Sequence, residues 1–250
     1  MSYRLGRLPH SPGWLTSIPH HKFGAIAPSP TLDRHKIEFV PELYQNNILP
    51  VCTAVGLANS ARAVAALNGF DIAVNPAKVP EFYASVVGCP PTIQAMIATE
   101  GAVLLDVLHK QEQRLFDIGP EALVASWKPV DHTSRSALAL CMDRFGVAYV
   151  GVTLHERDMD TVGQFWDVEP GRDDGDVVGG HCVCLFDYTS LPENGIVRIG
   201  TWGMWQNATW AWVNSRIDEA YGLVWPQLVR ATEGTFWHGL SVDEMLVDLG

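Results

Sequence analysis

Between Val51 and Leu67 the chain reads VCTAVGLANSARAVAAL, apolar or small at nearly every position. No continuous polar face survives a 3.6-residue turn, so the pattern predicts a helix over 51–67 buried within the domain. Pro50 stands at its entry, where a missing N–H costs nothing, and Ala54, Gly56, Ala58, Ala61, Ala65 and Ala66 allow close backbone approach. From Thr92 to Phe145 apolar residues recur at periods of three and four, broken by turn signals at Gly119-Pro120 and Lys128-Pro129. This predicts two or three shorter helices, one of them over 134–145. After Gly146 the pattern changes: VAYVGVTL, HCVCLFDY, GIVRIGTW and ATWAWVN are β-branched and aromatic runs separated by loops such as GRDDGD and SLPENG. They read as strands of an antiparallel sheet. Helices followed by strands predict an α+β fold, with a helical lobe over 41–145, a β lobe over 146–250 and a boundary near residue 146. Residues 1–40, with Pro9, Pro12, Pro19 and Pro28, read as a proline-rich arm that holds no long helix.

Composition narrows the setting. At 250 residues, 47% hydrophobic and 18% charged, the chain can bury one substantial core or two small packed lobes. A net charge of -11 with 17 Lys and Arg argues against nucleic acid or an anionic membrane as the main partner, since both demand a basic face. Neither a secretory signal nor a membrane span is expected from the apolar runs. Five cysteines, Cys52, Cys89, Cys141, Cys182 and Cys184, are odd in number and irregularly spaced, which points to free thiols in a reducing compartment. No metal or cofactor is expected. His20-His21 reads as a solvated pair in a loop, and Cys182 and Cys184 as small core residues on one strand face. Asp173, Asp174 and Asp176 read as a solvated turn without the spaced ligands of a calcium loop.

Two residues suggest chemistry. Cys52 falls in the first turn of the predicted buried helix, where partial positive charge favours a thiolate. His181 follows Gly179-Gly180 at the start of a predicted strand, 129 residues after Cys52. That separation is close to the roughly 130 to 150 residues between nucleophile and base in papain-type peptidases. The plain alternative is that Cys52 is a buried apolar residue, as free cysteines often are.

Three segments, PTLDRHKIEFVPELYQNNILPVCTAVGLANS, GGHCVCLFDY and IVRIGTWGMWQ, resemble the nucleophile, histidine and Asn-Ser-Trp-Gly regions of the papain-like cysteine peptidases, particularly divergent bacterial and bacteriophage members. The resemblance implies a papain-like domain over 41–250, with Cys52 as nucleophile, His181 as general base and Trp202-Gly203 shielding the imidazole. It places the oxyanion amide at Asn46, with Gln45 beside it, and substrate contacts at Gly180 and Trp202. Trp205 is an open candidate for a substrate contact, whereas Trp210 and Trp212 read as core. The orienting asparagine falls on Gly200, followed by Thr201, and a glycine cannot hold an imidazole in its tautomer. The Thr201 hydroxyl and the Gln206 amide are the candidates to replace it. The DEAY of residues 218–221 resembles a segment of the same divergent group, and its acids are expected to face solvent.

The resemblance implies acyl transfer through a thioester on a peptide or protein substrate, in a bacterial cytoplasm or a virion. Its rival is a papain-fold structural or interaction protein, a virion component that docks protein partners or oligomerises through the arm.

Overall fold

The structure, a computed structural model, describes residues 3–9, 18–115, 122–229 and 233–249. Pro12 and the Gly119-Pro120 turn lie outside them. The elements run in chain order as β1 (Arg7–Leu8), α1 (Cys52–Leu67), α2 (Lys78–Val87), α3 (Ile93–Ile97), β2 (Ala102–Val103), α4 (Leu104–Lys110), β3 (Ser126–Pro129), α5 (Arg135–Phe145) and β4 (Ala148–His155). They continue as α6 (Glu156–Asp160), β5 (Phe165–Trp166), β6 (Val177–Tyr188), β7 (Ile196–Thr201), β8 (Met204–Thr209), α7 (Trp210–Arg216), β9 (Ile217–Val224) and α8 (Val242–Leu249). This is the expected α+β architecture.

The strands form one sheet in the order β3-β9-β4-β6-β7-β8-β5, with β1 joined to both β2 and β6. Helix α1 lies on this sheet and is tied to it by side chains that exploit its small residues. A Cβ at Gly56 would sit 2.7 Å from the Cys182 sulfur, so glycine is what lets β6 come this close. The Cys184 thiol donates to the Gly56 carbonyl at 3.2 Å and the Tyr149 hydroxyl to the Thr53 carbonyl at 2.8 Å. Cys182 and Cys184 are thus buried against the helix. All five cysteines are free thiols.

Buried polar groups fix the rest of the frame. Arg34 enters the core and donates to the carbonyls of Met142, Gly146 and Phe186, which satisfies the end of α5 and ties it to β6. Asp158 accepts from the Trp212 indole at 2.7 Å and from Arg216 at 2.8 Å. Arg216 also pairs with Asp174, so this acid belongs to a network rather than to a solvated turn.

Three further expectations are corrected. The run ATWAWVN divides: Thr209 ends β8 and its hydroxyl accepts from the Trp212 N–H at 3.1 Å, capping α7. Trp210 and Trp212 are core residues, but on a helix. Lys128-Pro129 is not a turn; it ends β3, an edge strand, where a proline without an N–H is tolerated. In DEAY, Glu219 is fully buried, because β9 runs inside the sheet between β3 and β4.

Candidate active site

Cys52 opens α1. Its N-cap, Val51, supplies no side-chain hydrogen bond, and the first turn carries no acid, so the positive helix end is left uncompensated at the thiol. The Cys52 side chain is completely buried. Burial pushes the thiol up to about 11, against the pull of backbone hydrogen bonds from Cys182, Gly6 and Thr53 and of the Arg7 charge. The Cys182 backbone, next to His181, is thus among the groups that act on the thiol.

His181 sits on β6, also fully buried. Its Nε2 lies 2.7 Å from the Thr201 hydroxyl, while Nδ1 is buried without a hydrogen-bond partner. Of the two candidate replacements for an orienting asparagine, Thr201 is therefore the one in contact. The Gln206 amide instead accepts from Gly163 N–H at 2.7 Å and donates to the Asn207 carbonyl. Gly200 has a packing reason for its missing side chain: a Cβ there would come within 3.1 Å of Pro41. Burial, and then the Arg7 charge, lower the His181 pKa to about 3, so the ring is neutral.

Trp202 covers the imidazole face to face, with ring centroids 4.0 Å apart and planes at 13°. It heads the two-residue turn between β7 and β8, where Trp202 and Gly203 have φ of 41° and 73°. Positive φ at both positions is the demand of a tight hairpin turn, unusual for tryptophan. Trp166 meets the Trp202 ring edge-on at 6.4 Å and stacks on Trp212 at 4.5 Å, so the shield is braced back to Asp158.

Asn46 is buried, its side-chain oxygen without a partner, whereas Gln45 is exposed on the same turn with φ of 65°. Trp205 lies apart, packed against Phe39, Phe186 and the Arg198 guanidinium. Among the described residues no group of three or more acids, histidines and cysteines is placed to hold a metal.

What sequence reasoning missed is the chain's own start. Gly6 and Arg7 run across the cysteine and histidine. The Ala102 N–H donates to the Gly6 carbonyl at 2.9 Å, and Arg7 pairs with Gly180 across β1 and β6. The segment is gripped by missing side chains: a Cβ at Gly6 would fall 2.2 Å from the Pro50 oxygen, and one at Gly101 2.3 Å from the Gly6 oxygen. Tyr3 stacks on Trp202 at 4.8 Å. Nothing in local periodicity announces a two-residue strand.

No protein-family model matches the sequence, and no curated protein matches it. Among solved structures the chain is similar to xylellain, a cysteine protease from Xylella fastidiosa, with a TM-score of 0.66 and 12% identity over 89% of this chain and 96% of that one. It is also similar to digestive procathepsin L 3 of the Tenebrio molitor larval midgut, with a TM-score of 0.56 and 8% identity over 89% and 75% of the two chains. A third similar structure is procathepsin B S9 from Trypanosoma congolense, with a TM-score of 0.53 and 9% identity over 88% and 82%. The fold is that of the papain-like cysteine proteases. In this papain-like fold Thr201 stands against the imidazole, and residues from the 3–8 segment lie against Gly180 and Trp202 beside Cys52.

Proposed function

We propose that the protein is a cysteine peptidase in which Cys52 and His181 form the reacting pair. The observation that carries this reading is the packing of one small region: a buried thiol at an uncapped helix N-terminus, acted on by the β6 backbone next to His181, and an imidazole held between Thr201 and Trp202. With the groove open, His181 takes the Cys52 proton and the thiolate attacks a peptide carbonyl carbon. The oxyanion is received by the Cys52 N–H and the Asn46 amide, the exposed Gln45 being the lesser candidate. His181 then protonates the leaving amine as the C–N bond breaks, and the thioester is hydrolysed by water whose proton returns to the imidazole. Gly180 and Trp202 flank the path of the substrate.

One observation favours a second reading, a papain-fold structural or interaction protein. With residues 3–8 seated, the thiol is protonated and the imidazole neutral, which is an unreactive pair. Full-length Gly6→Ala decides between them, because its Cβ would collide with Pro50 and lift the segment. The peptidase reading expects Cys52 in this variant to be alkylated by iodoacetamide below the reference thiol pKa of about 8.5. It also expects peptide-amide hydrolysis that Cys52→Ala abolishes. A folded Gly6→Ala protein whose Cys52 stays inert and which cleaves nothing would favour the structural reading.

A further inference from the structure

Beneath Gly180 the groove is filled by a guanidinium. Arg7 donates to both carboxylate oxygens of Asp218, at 2.6 and 2.5 Å, and to Glu219 at 2.7 Å. Its side chain is 2% exposed, that of Glu219 0% and that of Asp218 38%. Consecutive residues of a regular strand face opposite ways, yet both acids reach one cation. The register explains it: β4 pairs Gly151 with Glu219 but Val152 with Ile217, leaving Asp218 as the extra residue of a bulge that brings both carboxylates to the one guanidinium.

The recess is shaped for this group. A Cβ at Gly151 would lie 2.7 Å from Glu219 Oε1 and 2.8 Å from Arg7 Nη1, and one at Gly180 3.0 Å from Arg7 Nε. The Thr153 hydroxyl donates to Asp218 at 2.7 Å and the Tyr221 hydroxyl to Glu219 at 3.0 Å, holding both acceptors in place. Residues 6 and 7 also enter as a ligand strand would, with their backbone paired to β2 and β6 beside the Cys52 sulfur.

We infer that this recess, walled by Gly151, Thr153, Gly180, Asp218 and Glu219, is a subsite that selects an arginine side chain in a peptide laid along the groove, with Arg7 as its occupant in cis. The inference rests on the peptidase reading for the groove's purpose. Arginine fits because its planar fork meets Asp218 with two donors and Glu219 with a third. Lysine reaches one acceptor as a point charge, and leucine would bury Glu219 against an apolar group.

The test uses the full chain carrying Gly6→Ala, Arg7→Ala and Cys52→Ala, with fluorescein-labelled hexapeptides in which one arginine, lysine or leucine is scanned through the four central positions. Anisotropy is expected to show one position at which arginine binds at least about 10-fold tighter than leucine, with lysine between them. Asp218→Asn with Glu219→Gln should erase that preference. Asp218→Asn alone, at the more exposed acid, should cut it several-fold should the double change fail to fold. Equal binding of the three peptides, no binding, or a preference that survives these changes overturns the subsite and leaves Arg7 as a structural clamp. With Cys52 restored, an arginine preference in binding without hydrolysis would retain the subsite and remove the peptidase; hydrolysis indifferent to arginine would do the reverse.

Discussion

At the scale of single residues, the peptidase reading makes the contact between His181 and Thr201 the one that sets how well the imidazole would work. A hydroxyl holds the ring but carries no charge, so its loss should cost less than the roughly 10,000-fold seen when a serine enzyme loses its orienting carboxylate. In the arm-lifted Gly6→Ala protein, Thr201→Val is expected to lower kcat by about 10- to 100-fold and to shift the pH profile of kcat/KM, with KM little changed. Thr201→Ser should restore most of the rate, and a Val variant with an unshifted profile would make Thr201 a packing residue only. The buried neutral ring also sets an acid limit. Its folded pKa is depressed, to about 3 against 6.5, so stability is intact above pH 6.5 and lost as pH falls towards 3, on the order of 5 kcal/mol over that window. Urea midpoints between pH 7 and 4 should therefore fall more steeply for the parent protein than for His181→Gln. That Cys52 opens a buried helix and His181 lies on a strand was legible because each has its own local signal: a helix start after Pro50 and a Gly-Gly strand entry. The replacement for asparagine was narrowed to two candidates and no further. Hydroxyl and amide could both serve chemically, and only the placement of β7 against β6 brings Thr201 to the ring.

Among the elements, α1 and the strands β4, β6 and β7 came through from periodicity, because each is long and closely packed. α7 did not. Alternating Ala and Trp suit a strand as well as a short helix, and the choice is made by the Thr209 hydroxyl on the Trp212 N–H. Thr209→Ala is expected to cost about 1 kcal/mol, readable as a lowered urea midpoint, and Thr209→Ser to cost far less. The end of α5 depends on a residue no helix pattern could flag. Arg34 lies 108 residues before Met142, whose carbonyl it satisfies, and Arg34→Met should destabilise the fold by about 3 kcal/mol by stripping three buried carbonyls of a charged donor. The bulge in β9 was equally hidden. Two adjacent acids read as a solvent-facing pair until the register with β4 brings both to Arg7, Glu219 buried and Asp218 still partly exposed.

Over the whole molecule, the relation least visible in the sequence joins Arg7 to residues 218 and 219. Short-range patterns report what neighbours do, and an ion pair spanning 211 residues leaves no periodic trace. Its state can be followed with trypsin. The parent chain is expected to resist cleavage after Arg7, whose side chain is almost wholly enclosed, while Gly6→Ala should be cut between Arg7 and Leu8, as read from the mass of the new N-terminus. Equal cutting of both proteins would mean that the segment leaves the groove unaided.

Because the occupant of that groove is tethered to the walls that hold it, it never dilutes. On the peptidase reading an incoming peptide would meet a competitor whose effective concentration is on the order of millimolar, however sparse the protein is. Restraint of this kind is a unimolecular equilibrium. It would look the same in a test tube at nanomolar protein as in a crowded cell, and only something that acts on the tether, or rivals it strand for strand, would lift it.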